Sequence, residues 1–134
     1  MEGTLEKIKE FHGHIGPYAV LGYKMGKIAN EKIGKDPFSK TAVVYTDTKP
    51  PLSCLIDGIQ LSSRCTLGKA NIEIIKSDEL KAEFTNKQQE KILIKLKPKI
   101  RQEIDSKVNK DNMIEYSKKY FEMNNSDLFE INLL

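Results

Sequence analysis

Apolar residues recur at two distinct periods along this chain, and the switches between them mark out its elements. Leu5, Ile8 and Phe11 share one stripe of residues 4–12, which predicts a short amphipathic helix. Pro17 suits the first turn of a second helix, where its missing N–H would have no partner in any case. From there Tyr18, Leu21, Met25, Ile28 and Ala29 keep helical spacing up to Gly34, a natural stop. Gly22 and Gly26 lie one turn apart inside this helix. Each costs about 1 kcal/mol of helix propensity, so close packing of another backbone against that face is expected to compensate.

The period then shortens. "TAVVYTD" (41–47) is a β-branched strand candidate closed by "KPP". Ser53 stands as the cap of a brief helix carrying Leu55, Ile56, Ile59 and Leu61, and Gly68 ends that region. "NIEII" (71–75), "LKAEF" (80–84) and "KILIKLK" (91–97) alternate with period two. Their short polar turns predict an antiparallel meander with one wet face. After Pro98 the helical period returns. Ile100, Ile104 and Val108 form one stripe; Met113, Tyr116, Tyr120 and Phe121 form another behind Asp111 as the expected cap. "LFEINLL" is too apolar to leave in water and should dock as a strand or short helix. The order predicts one α+β domain over residues 1–134, a mixed sheet covered by helices on one face.

Composition narrows the function classes. The net charge is only +3, and of 22 basic residues just Arg64 and Arg101 are arginines. Lysines alternating with acids describe a solvated surface, so no nucleic-acid partner is expected. No uncharged stretch approaches the roughly 18 apolar residues of a membrane span, and the charged "MEGTLEKIKE" start does not resemble a secretory signal. With two cysteines, too few for a disulfide scaffold, a cytoplasmic protein with reduced thiols is expected.

The rare residues carry the candidate chemistry. Both histidines, His12 and His14, sit in "FHGHIGPYAVLG", and the two cysteines are Cys54 and Cys65. Imidazole and thiolate are the side chains that bind Zn²⁺ and similar ions best. An irregular segment between two helices, flanked by Gly13 and Gly16, can turn both rings to one side. A continuous helix from Cys54 to Cys65 would hold the thiols roughly 16 Å apart. Either the helix breaks near Asp57-Gly58, or only one cysteine joins the histidines within one protomer. Cys54, in the first turn, is the better candidate because the helix dipole there favours a thiolate. Equally, an isolated His-x-His can be a surface pair, buried free cysteines can be inert, Asp57 can cap a turn, and Lys69 can be one more surface lysine.

"FHGHIGPYAVLGYKMG" followed by "CLIDGIQLSSRCTLGKANI" is similar to the core of the FmdE-like family of proteins linked to formylmethanofuran dehydrogenase. The matching positions are His12, Gly13 and His14, then Cys54, Asp57, Cys65, Thr66, Gly68, Lys69 and Asn71, within residues 11–72. The resemblance implies an α+β core, intertwined homodimers, and zinc or another divalent transition metal near the histidine segment. It also implies association with the molybdenum or tungsten enzyme that fixes carbon dioxide onto methanofuran in methanogens. Two departures qualify it. Relatives often read His-x-His-x-Cys-Pro-Gly, whereas here Gly16 and Tyr18 occupy the last cysteine and glycine positions, and Tyr18 could partly fill the space. Many relatives also append a cysteine-rich zinc finger, for which this sequence has no cysteines to spare, so a core-only member is expected.

On this reading His12, His14 and Cys54 are the metal ligands of an accessory protein. Asp57 orients an imidazole, Cys65 lines the same pocket, and Lys69 contacts an anion there. Two alternatives stay open: a zinc-dependent hydrolase or acyl- or formyl-handling enzyme with an open metal position, and a structural dimeric docking protein whose metal site is vestigial.

Overall fold

The computed structural model describes residues 2–134. In chain order its elements are α1 (Glu2–His12), α2 (Pro17–Ile33), β1 (Lys40–Thr46), α3 (Cys54–Ser63), β2 (Ile72–Lys76), β3 (Lys81–Asn86) and β4 (Lys91–Leu96). α4 (Pro98–Lys107), α5 (Met113–Glu122), α6 (Asn125–Leu128) and β5 (Phe129–Leu133) complete it. The strands form one mixed sheet in the order β2-β1-β3-β4-β5. This is the α+β architecture the periodicities predict. No helix among the described residues is long and apolar enough to cross a membrane.

The sheet departs from a simple meander. β2 does not pair with β3; it runs parallel to β1, with Val44 opposite Ile74, while β3 pairs antiparallel on the other side of β1. A parallel neighbour needs a long crossover, and α3 with its flanking loops supplies it. The connection at 77–80 then steps over the end of β1. It has to span two strand spacings, about 10 Å, which four residues reach with ease. Alternation reports which face of a strand is wet, not which strand lies beside it. Beyond β3 the meander is real: β4 and then β5 each add antiparallel. The C-terminal apolar run thus splits into a helical turn, α6, and the edge strand β5.

One face of the sheet is buried. Ala42, Val44, Ala82, Phe84, Ile92 and Ile94 pack beneath Leu21, Met25 and Ile28 of α2. α1 adds a smaller cluster, where Leu5 and Ile8 meet Ala19 and Val20. α3 packs along α2, and the glycines set how closely. A Cβ at Gly22 would overlap the Leu55 carbonyl, one at Gly26 would overlap Ser62 and the Ser63 amide, and one at Gly58 would overlap the Ala19 carbonyl. The two backbones are in contact, as the spacing of Gly22 and Gly26 suggests. Gly58 is the reciprocal half of that contact and does not break α3. At α5 the residue before the first turn is Asn112 rather than Asp111. Asn109 and Asn112 tie this loop together, with Asn109 Oδ1 accepting the Asp111 and Asn112 amides.

The far end of α5 is held by one side chain. Lys24 Nζ donates to the carbonyl oxygens of Tyr120, Phe121 and Met123, at 3.0, 3.0 and 2.5 Å. These carbonyls belong to the last turn, where intrahelical partners run out. Burial lowers the Lys24 pKa to about 8. Burial thus works against the ammonium form, and the three carbonyl acceptors offset that cost. Lys24→Met should lower stability by about 1–3 kcal/mol by leaving those carbonyls unpaired. Urea titration is the check, with amide exchange in 117–123 expected to rise more than in the sheet.

Candidate functional site

The α1–α2 junction forms as its residues dictate. α1 ends at His12, and Gly13 takes a positive φ of 100° that closes its amide onto the Lys9 carbonyl. The chain then runs extended through Gly16 (φ −126°, ψ 153°) into Pro17. This break lets both rings turn to one side, with their centroids 4.8 Å apart. The first turn of α3 brings up Cys54 and Asp57 opposite them.

His12 is the anchored member. Its Nδ1 lies 2.6 Å from Asp57 Oδ2. An ionised carboxylate can only accept, so Nδ1 carries a proton, and in the neutral ring Nε2 has the lone pair. That Nε2 is buried and has no hydrogen-bond partner among the described residues. A buried nitrogen of this kind ordinarily finds a donor or a cation. His14 is exposed, and Cys54 is half-buried. Burial, and after it the Asp57 charge, push the Cys54 thiol above its ordinary range.

His12, His14, Gly16, Pro17, Tyr18, Pro51 and Cys54 line one side of a pocket of about 470 Å³; Ile104, Asp105, Val108 and Met113 line the other. Tyr18 is almost wholly buried. Its hydroxyl donates to Asp105 Oδ1 at 3.0 Å, and burial with the Asp105 charge raises its pKa. It braces α2 against α4. Gly16 leaves room over His14: a Cβ there would sit 3.0 Å from His14 Nε2.

Two residues expected in this pocket are elsewhere. Cys65 lies beyond the far end of α3, fully buried, with its Sγ 3.7 Å from the Lys40 carbonyl oxygen. The cause is that α3 runs unbroken through Asp57-Gly58, so about ten residues of helix at about 1.5 Å each separate the thiols. Lys69 is in the same distant loop, where its Nζ donates to Thr66 Oγ1 at 3.1 Å. Asn71 organises that loop, accepting the Thr66 amide and donating to the carbonyls of Pro37 and Lys40. This part of the second motif is a structural turn.

The wall from α4 and α5 is not foreshadowed by the sequence. Ile104 and Val108 read only as a core stripe, and no sequence signal singles out Asp105. The spacing of Arg101 and Asp105 gives an i,i+4 ion pair at 3.7 Å, a common surface pattern that says nothing of a pocket.

As donors, two imidazoles and a thiol beside an unpartnered nitrogen suit a transition-metal ion. Among the described residues, however, no three His, Cys, Asp or Glu side chains already converge at ligating distance. A three-donor site requires these side chains to move closer together, and the exposure of His14 leaves its ring room to do so.

Comparison with known proteins bears on the fold and the family. One relative is a probable S-adenosyl-L-methionine-binding protein of Archaeoglobus fulgidus, 39% identical over 70 residues. That match takes in 51% of this chain and 19% of the relative, so the chain spans about a fifth of its length. A crystal structure of a tungsten formylmethanofuran dehydrogenase FmdE-like protein from Syntrophus aciditrophicus superposes with a TM-score of 0.74 at 20% identity. It covers 99% of this chain and 71% of that one, a likeness of fold. Residues 11–130 match the family described as "FmdE, Molybdenum formylmethanofuran dehydrogenase operon", a span from the histidine junction to the start of β5. The chain belongs to the FmdE family.

Proposed function

We propose that this chain is a metal-binding accessory protein of the formylmethanofuran dehydrogenase system, cytoplasmic and homodimeric, with zinc as its first-choice ion. His12, His14 and Cys54 are the donors, and Asp57 holds the His12 ring. The supporting observation is His12 itself, whose Nδ1 is fixed by a carboxylate while its buried Nε2 has no partner among the described residues. That carboxylate–histidine pairing is the usual support of a metal-ligating imidazole. The Cys54 thiol, raised by burial and the Asp57 charge, would have to lose its proton on binding. Without a cation the thiol stays protonated, and a nearby divalent ion is what would ionise it. When bound, the ion would supply a Lewis acid at the mouth of the pocket.

The test is metal analysis of reduced, untagged protein, followed by zinc titration against a chromophoric chelator. One zinc per chain is expected, falling to none in His12→Ala. Stoichiometry near zero in the wild type, unchanged by added zinc, removes the ligand assignment.

The enzymatic alternative gains one observation, the roomy pocket, but among the described residues neither carboxylate beside it is a free general base. Asp57 is engaged with His12, and Asp105 with Tyr18. An accessory role demands less of the site.

A further inference from the structure

We infer that the pocket beside the histidines receives a small amphipathic molecule, its polar group at His12, His14 and Cys54 and its apolar body, a short alkyl or aryl group, against α4 and the start of α5. Only the polar end rests on the proposed metal-binding role; the apolar end stands on the opposite wall alone.

The pocket's volume, about 470 Å³, lies in the range of small-molecule sites, roughly 300–1,000 Å³. Its polar groups are unevenly available. On the α4 side, Asp105 is the one charged residue: Oδ1 accepts from Tyr18, and Oδ2 forms a loose, partly exposed ion pair with Arg101 Nε at 3.7 Å, at the solvent edge of that wall. The Tyr18 hydroxyl spends its proton in the same contact. The rest of that wall is hydrocarbon, from Ile104, Val108 and Met113.

The opposite wall is different. His12 Nε2 lacks a partner, and neither His14 nor the Cys54 thiol makes a hydrogen bond among the described residues. Gly16 adds to this. Its backbone is extended, a conformation any residue can adopt, so a glycine is not required by the chain path. Its missing side chain leaves His14 Nε2 open to the pocket. Unsatisfied nitrogen and sulfur on one wall and unrelieved hydrocarbon on the other select a ligand with matching ends.

Acetohydroxamate and benzohydroxamate share a metal-binding head and differ in their bodies, which makes them suitable probes. Their dissociation constants are measured by ligand-observed NMR on the full chain, once with chelator and once with zinc. Benzohydroxamate should bind about tenfold or more tightly than acetohydroxamate in both states, because the apolar wall does not depend on the ion. Zinc should strengthen both probes alike. Val108→Asn and Met113→Gln, two partly exposed positions, should each shrink the preference without changing zinc content. Equal binding of the two probes, no binding of either, or a preference that survives both substitutions overturns the inference. A preserved preference with no effect of zinc supports it and overturns the metal reading alone.

Discussion

Gly58→Ala should destabilise the protein by about 3 kcal/mol, the upper part of the range for overpacked interiors, and lower Tm by roughly 10 °C. Two effects oppose each other at this position. Alanine in mid-helix gains about 1 kcal/mol of propensity over glycine. The added methyl, however, would overlap the Ala19 carbonyl and crowd the Tyr23 amide, and these are backbone atoms of α2 that no rotamer change can move aside. The helices would have to separate along their whole crossing, opening space around Leu55 and Ile59, both fully buried. Packing therefore wins over propensity. Gly3→Ala is the control, since a Cβ there meets nothing within 4 Å. Its stability should be unchanged or slightly raised. A melting curve for Gly58→Ala within about 2 °C of wild type, on the order of half a kcal/mol for a chain of this size, would show that α2 and α3 do not pack as closely as described. The separation would also be felt at the site. α3 carries Cys54 and Asp57 on the turn just before Gly58, so this variant should lose zinc affinity as well as stability.

That crossing illustrates what can be read from the residues. Gly22 and Gly26 announce a close approach because a propensity penalty one turn apart needs a compensating contact. Their partner Gly58 carries no such signal, since a single glycine after an aspartate is equally the mark of a break. Strand positions and facing are legible because burial on one side imposes period two. Neighbour order is not, because the β1-α3-β2 crossover is a matter of tertiary packing that alternation does not encode. The same division holds at the site. The histidine junction is visible through Gly13, Gly16 and Pro17, which fix the local backbone whatever surrounds them. Cys65 falls outside the pocket because adjacency in a family motif is not adjacency in space; the unbroken α3 sends it to the opposite end. Asp105, Val108 and Met113 reach the pocket from the C-terminal third of the chain, through a Tyr18–Asp105 bond spanning 87 positions. No local pattern marks such a contact.

Asp57→Asn should weaken zinc binding by about 10–100-fold, and here too two effects compete. The carboxylate accepts the His12 Nδ1 proton and so keeps the lone pair on Nε2. An asparagine presenting its amide nitrogen would reverse the tautomer and put a proton where the ion must bind. Presenting its oxygen instead, it would hold the ring but lose the negative charge that makes Nε2 a better donor. Either way the His12 contribution falls. Against this, the Asp57 charge is one of the two causes that raise the Cys54 thiol, so removing it makes the thiolate easier to form. Burial is the larger cause, however, and it is untouched by the substitution. The relief at sulfur is therefore partial, while the loss at nitrogen affects the one donor that is already oriented. Competition titration against a chromophoric chelator near neutral pH separates the two. Weaker binding in Asp57→Asn, with His12→Ala weaker still, places the imidazole at the centre of the site. Unchanged or tighter binding in Asp57→Asn would mean that sulfur dominates, and that the His12–Asp57 pair serves only to tie α1 to α3.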